Sequence, residues 1–105
     1  MSERMWILTT DDAAVDPPVI IRLPTGAERT VGRANRSDFI LDAAMVSRIH
    51  CRLTTDARGE LTVEDLDSTN GTFVNDRRVS RAALSAGDRL RVGRVELSVR
   101  RAGES

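Results

Sequence analysis

The sequence has no tyrosine, no lysine, one tryptophan, two phenylalanines, one cysteine and one histidine among 105 residues. With aromatics at 3%, it nearly lacks the stacking platforms on which single-stranded nucleic acids lie. The lone Cys51 cannot close an internal disulfide, and no apolar run approaches the roughly 18 residues of a membrane span. Nor does the chain open on a secretory leader. A reducing, cytoplasmic setting is the expectation, with no membrane partner. All 16 basic residues are arginines, balanced by 16 acidic residues to a formal net charge of zero. That balance removes the long-range positive field on which non-specific nucleic-acid binding depends, so nucleic acid is not expected as a partner. Any anion site must be local, and forked guanidinium donors are the cations available for it.

What the chain does have is aliphatic and short in period. The apolar 40% is mostly Val, Leu, Ile and Ala, and it recurs as brief alternating runs between turn signals. Strands are predicted over Met5 to Thr10, Val19 to Leu23, Arg29 to Gly32, Phe39 to Leu41, Ile49 to Thr55 and Glu60 to Asp65. Further strands follow over Phe73 to Val74, Arg78 to Val79, Arg89 to Val92 and Val95 to Arg101. About ten short strands in a chain of this length predict an all-β sandwich of two antiparallel sheets. Pro24-Thr25-Gly26, Asp56 to Gly59, Asn75-Asp76 and Ala86-Gly87-Asp88 read as hairpin connections. Ser80 to Ala86 is too short for a stable helix and reads as a bridge between strands. Asp11 to Pro18 is expected as an exposed loop, and Ala102 to Ser105 as a frayed tail. A single domain over 1–105, with its core at about 5–101, accounts for the length, because a chain this short buries roughly 65% of its unfolded surface around one core.

Three polar signals stand in order: Gly32-Arg33, then Ser47-Arg48-Ile49-His50, then Leu66 to Asn75, reading Leu-Asp-Ser-Thr-Asn-Gly-Thr-Phe-Val-Asn. Taken by local rules, Asn70-Gly71 is the strongest short hairpin signal in the chain, and Arg33 is an arginine leaving a strand end beside a turn-permitting glycine. Ser47 and His50 invite a hydrolase reading. On an extended segment, however, residues three apart point to opposite faces, and there is neither a Gly-x-Ser-x-Gly elbow nor a second histidine. No enzyme is expected. Metal binding fails by inventory, since one His and one Cys, adjacent at His50-Cys51, do not make a zinc set. No cofactor is expected either. Asn70-Gly71-Thr72 and Asn35-Arg36-Ser37 match the glycosylation pattern, without a compartment in which to use it.

Together the three signals resemble the forkhead-associated (FHA) domain, a β-sandwich that binds phosphothreonine peptides on the loops at one end. The resemblance is strong over Arg29 to Asn75 and extends to Asp88 to Gly93. It implies that Arg33 clamps the phosphate, that Ser47 and Thr69 donate to it, and that Arg48 contributes its backbone N–H. It implies that Asn70 bonds the peptide main chain, with Thr69 shaping a pocket for the phosphothreonine methyl. His50, Gly32, Gly71, Thr72 and Asn75 would hold the loops, and Met45 would set an apolar preference in the flanking peptide. The implied partner is a phosphothreonine-containing protein, a Ser/Thr kinase or its substrate, and the implied role that of a signalling adaptor. The alternative is a sandwich of this kind that serves as a scaffold or oligomerisation unit without reading phosphate. Thr9 and Thr10, before two acidic residues, could also be phosphorylated and fold back on the site; the plainer reading has them end the first strand.

Overall fold

The computed structural model describes residues 5–11 and 15–102. Among the described residues, eleven strands form two sheets. The first sheet contains β1 (Met5–Thr10), β2 (Ile20–Pro24), β7 (Thr72–Val74), β8 (Arg77–Val79), β10 (Arg89–Val92) and β11 (Val95–Arg101). Its order is β2-β1-β11-β10-β7-β8. The second contains β3 (Glu28–Gly32), β4 (Phe39–Ile40), β5 (Cys51–Thr55), β6 (Leu61–Asp65) and β9 (Arg81–Leu84), in the order β4-β3-β5-β6-β9.

The strands form where alternation allows one face to be buried. In β5, Cys51, Leu53 and Thr55 point inward, and in β11 Val95, Leu97 and Val99 do the same. Leu8, Ile21, Leu23, Val31, Val63 and Val92 complete an aliphatic core with Trp6 at one margin. The single indole is satisfied: Trp6 Nε1 donates to the Gly59 carbonyl at 2.8 Å, and the Arg101 guanidinium lies 4.6 Å from the ring centre. Cys51 is fully buried, and burial pushes its thiol up to about 12. It behaves as a core hydrophobe rather than a nucleophile.

Several expectations change. Ser80 to Ala86 contains an edge strand, β9, paired with β6; tertiary pairing overrides the helix-favouring Ala-Ala-Leu run. One pair, β3 with β4, is parallel, so the second sheet is mixed. Asp56 to Gly59 and Asn75-Asp76 do close hairpins, the latter with positive φ at both central residues (49° and 68°). The turns at Pro24 to Gly26 and Ala86 to Asp88 carry the chain from one sheet to the other. Asn70-Gly71 likewise joins β6 and β7 of different sheets. Ala102 is tied, its N–H donating to the Met5 carbonyl at 2.8 Å; residues 103–105 lie outside the described residues, as do 12–14 of the expected Asp11 to Pro18 loop. Thr10 is buried, its hydroxyl accepting from the Val19 N–H, which leaves the strand-end reading in place.

Candidate functional site

Four connections meet at one end of the sandwich: β3–β4, β4–β5, β6–β7 and the β10–β11 turn. Gly32 starts the first of them, and backbone packing requires glycine there. A Cβ on Gly32 would stand 2.1 Å from the Arg48 carbonyl oxygen. That oxygen is held in place, accepting from the Ala34 N–H at 3.0 Å and from Ser37 Oγ at 2.9 Å. The Arg33 N–H donates to the Ser47 carbonyl at 3.0 Å, which locks the first two loops together.

His50 ties the remaining loops. It is fully buried, accepts from the Ser47 N–H through Nδ1 at 3.0 Å and pairs through Nε2 with the Gly71 carbonyl at 2.8 Å. An N–H facing Nδ1 and a carbonyl facing Nε2 select the neutral tautomer protonated on Nε2. The expectation that Ser47 and His50 stay apart is therefore corrected. The chain bends at Arg48-Ile49 and β5 begins only at Cys51, so the ring returns to the Ser47 amide; the Ser47 hydroxyl remains free of it.

A second hub, not anticipated from the sequence, lies beneath. Asp65 accepts from the Ser68 and Thr72 hydroxyls and from the Ser68 N–H, and Ser68 Oγ accepts in turn from the Gly71 N–H at 3.0 Å. Burial raises the Asp65 carboxyl's pKa, but the hydrogen bonds from Ser68 and Thr72 hold it below the ordinary value. Asp65-x-x-Ser68 is an aspartate capping its own backbone, the signal by which this hub could have been found. The Gly71 carbonyl also accepts from the Gly93 N–H at 3.1 Å. A Cβ on Gly93 would come 2.3 Å from the Met45 carbonyl oxygen, so the β10–β11 turn supports Met45, which sits at φ 75°.

An open cleft of about 430 Å³ results, lined by Arg33, Asp42, Met45, Ser47, Thr69 and Asn70 among others. Arg33 Nε donates to the Val46 carbonyl at 3.1 Å, leaving both Nη groups without a partner among the described residues. Ser47 Oγ accepts from the Thr69 N–H at 3.1 Å, so its own hydrogen is available to donate outward. Asn70 Nδ2 donates to the Met45 carbonyl at 3.1 Å, keeping Oδ1 and one N–H for another partner. These groups present a cation and a ring of donors to one open volume, the chemistry that seats a tetrahedral oxyanion.

The structure thus brings Arg33, Met45, Ser47, Thr69 and Asn70 together at the cleft, with Gly32, His50, Gly71 and Thr72 behind them. Arg48 is exposed and lies outside the lining, while its carbonyl anchors the first loop. Asn75 is a correction. It sits at the far end of β7, where Nδ2 donates to Asp88 and Oδ1 accepts from the Arg89 N–H, so it shapes the β7–β8 turn and not the cleft. Asp42 lines the cleft without having been anticipated, since a carboxylate is not a residue sought beside an anion.

Because the buried imidazole is neutral, acid should loosen this end of the molecule. Burial lowers the His50 pKa, only partly opposed by the Gly71 carbonyl and the Asp65 charge. The unfolded chain, with a histidine pKa of about 6.5, then binds more protons than the folded one. Stability is full above about pH 6.5 and is lost as pH falls through the folded value. Protonation would also turn Nδ1 into a donor facing the Ser47 N–H. As the sole histidine, its ring resonances can be followed directly by NMR, and a midpoint at or above 6.5 would contradict this arrangement.

A family model described as the FHA domain matches residues 29–93. Over 75 residues the chain is 41% identical to the ABC transporter ATP-binding/permease protein Rv1747 of Mycobacterium tuberculosis, covering 71% of this chain and 8% of that protein. Over 68 residues it is 40% identical to the glycogen accumulation regulator GarA of Mycolicibacterium smegmatis, covering 65% of this chain and 42% of that protein. The chain therefore spans less than half the length of these curated relatives. Among solved structures, one described as an analysis of phosphothreonine-dependent FHA domain interactions superposes with a TM-score of 0.79 at 33% identity, covering 91% of this chain and 95% of that one. The match over most of the loops and strands that build the cleft, joined to the same sandwich, shows that this chain belongs to the FHA domain family.

Proposed function

We propose that this chain binds proteins through a phosphorylated threonine, as an adaptor in Ser/Thr kinase signalling, and that 1–105 acts as one binding module without enzymatic activity. The observation that carries the proposal is the meeting of the free Arg33 Nη groups, the Ser47 hydroxyl and Thr69 around one open cleft. A threonine phosphate brings roughly −1.5 to −2 charge and three strong acceptor oxygens. Arg33 would clamp it in a fork, Ser47, Thr69 and the Arg48 N–H would donate, and Asn70 would hold the peptide main chain. The similar structure described as phosphothreonine-dependent supports the same reading. Such a mark is written by a Ser/Thr kinase, so the partner would be a kinase or its substrate, met in the cytoplasm. Met45, 45% exposed at the rim, would favour apolar neighbours in the peptide.

If each charge-assisted bond nets about 1.5 to 3 kcal/mol, a few of them supply most of the roughly 8 kcal/mol of a micromolar complex. Phosphoserine carries the same charge but lacks one methyl, worth about 0.8 kcal/mol when buried. Fluorescence-polarisation titration of matched phosphothreonine, phosphoserine and unphosphorylated peptides should show severalfold preference for phosphothreonine and negligible binding of the bare peptide. Equal phosphothreonine and phosphoserine affinities would remove the methyl pocket. A folded protein that binds no phosphopeptide would favour a phosphate-independent scaffold instead.

A further inference from the structure

Asp42 borders two hollows. On one side lies the cleft of Arg33 and Ser47; on the other a groove of about 370 Å³ runs between Val15, Asp16, Pro17, Val19 and Ile40. A carboxylate beside the seat of a dianion weakens the dianion's binding, and that penalty is offset when the ligand brings its own cation to the carboxylate. The groove is built to take one. Its floor is aliphatic, with Ile40 42% exposed, and Asp16 and Asp42 both border it. Its Val19 and Ile40 sides are anchored: the Thr10 N–H donates to the Val19 carbonyl at 3.1 Å, Thr10 Oγ1 accepts from the Val19 N–H at 3.0 Å, and the N–H of Leu41, next to Ile40, donates to the Gly32 carbonyl at 2.8 Å.

We infer that this groove is a second recognition subsite, seating an arginine or lysine side chain of the same phosphothreonine ligand. The apolar stem lies against Val15, Val19 and Ile40, and the cationic head reaches Asp16 and Asp42. The inference rests on the phosphothreonine reading of the adjoining cleft. It makes the ligand zwitterionic, a phosphate on Arg33 and a cation on Asp42, which discriminates among phosphopeptides that the phosphate contacts alone treat alike.

The test is fluorescence polarisation with a phosphothreonine peptide whose flanks are alanine, against a series in which one lysine moves through each flanking position. Lysine at one position should tighten binding about fivefold, in keeping with two exposed ion pairs, and glutamate there should weaken it. The lysine-to-alanine affinity ratio should fall to one in Asp16→Asn/Asp42→Asn, shrink in Ile40→Ser and decline with added salt. If the alanine peptide binds but lysine gains nothing at any position, or the gain survives in the double variant, the subsite is overturned while the phosphate cleft stands. If no peptide binds the folded wild type, both readings fall together.

Discussion

Arg33→Ala is expected to weaken phosphothreonine-peptide binding by at least about a hundredfold while leaving the domain folded. The side chain is exposed, and its one internal bond, from Nε to the Val46 carbonyl, is worth about 1 kcal/mol to stability. A loss of that size moves the melting temperature of a domain this small by roughly 4 to 8 °C. In the complex the same residue would make two charge-assisted bonds through its Nη groups, together about 3 to 6 kcal/mol. Arg33→Lys should recover only part of this, because an ammonium keeps the charge but cannot span two phosphate oxygens in a planar fork. Peptide titration beside a thermal melt separates the two effects. Retained binding within threefold of wild type in a folded Arg33→Ala protein would sink the assignment.

One residue earlier the consequence reverses. Gly32→Ala should destabilise the fold by about 3 kcal/mol or more, the upper end for forcing an extra carbon into packed structure. The new methyl would meet backbone, the Arg48 carbonyl oxygen at 2.1 Å and its carbon at 2.7 Å, with Ser37 Oγ at 2.8 Å. None of these can yield cheaply, because that carbonyl is held by both Ala34 and Ser37. Urea unfolding should show a midpoint well below that of wild type. Binding, measured under conditions where the variant is folded, should fall too, since Arg33 and Ser47 are positioned through the same contact. A midpoint unchanged within error would mean that the two loops do not pack as described.

The adjacent pair shows how much of the site is legible in a string of residues. Arg33, Ser47, Thr69 and Asn70 stand out because their donors make a pattern, and the structure does bring them to one cleft. His50 stands out as the sole imidazole. Asp65 and Ser68 do not, although they hold the third loop together; a short local cap looks the same whether or not it supports a site. Asp42 was invisible for a different reason, since its significance comes from what lies on either side of it. Asn75 misled by sharing a run with Thr69 and Asn70: β7 begins at Thr72 and carries the chain through Phe73 and Val74 to the opposite end of the strand, where Asn75 sits.

Alternation and turn chemistry, both local properties, are sufficient to specify short strands, an aliphatic core and the position of most turns in this chain. Local chemistry also specifies that any phosphate site must rely on arginine, as no other strong cation is present. Which sheet each strand joins is a different matter. Asn70-Gly71 and Asn75-Asp76 are both good turn formers, yet only the second closes a hairpin, because β6 has its partners in one sheet and β7 in the other. That choice is made by long-range pairing and core burial, which no window of neighbouring residues contains. The convergence of four loops on one end, the Gly32 contact with Arg48 and the groove beyond Asp42 all follow from it.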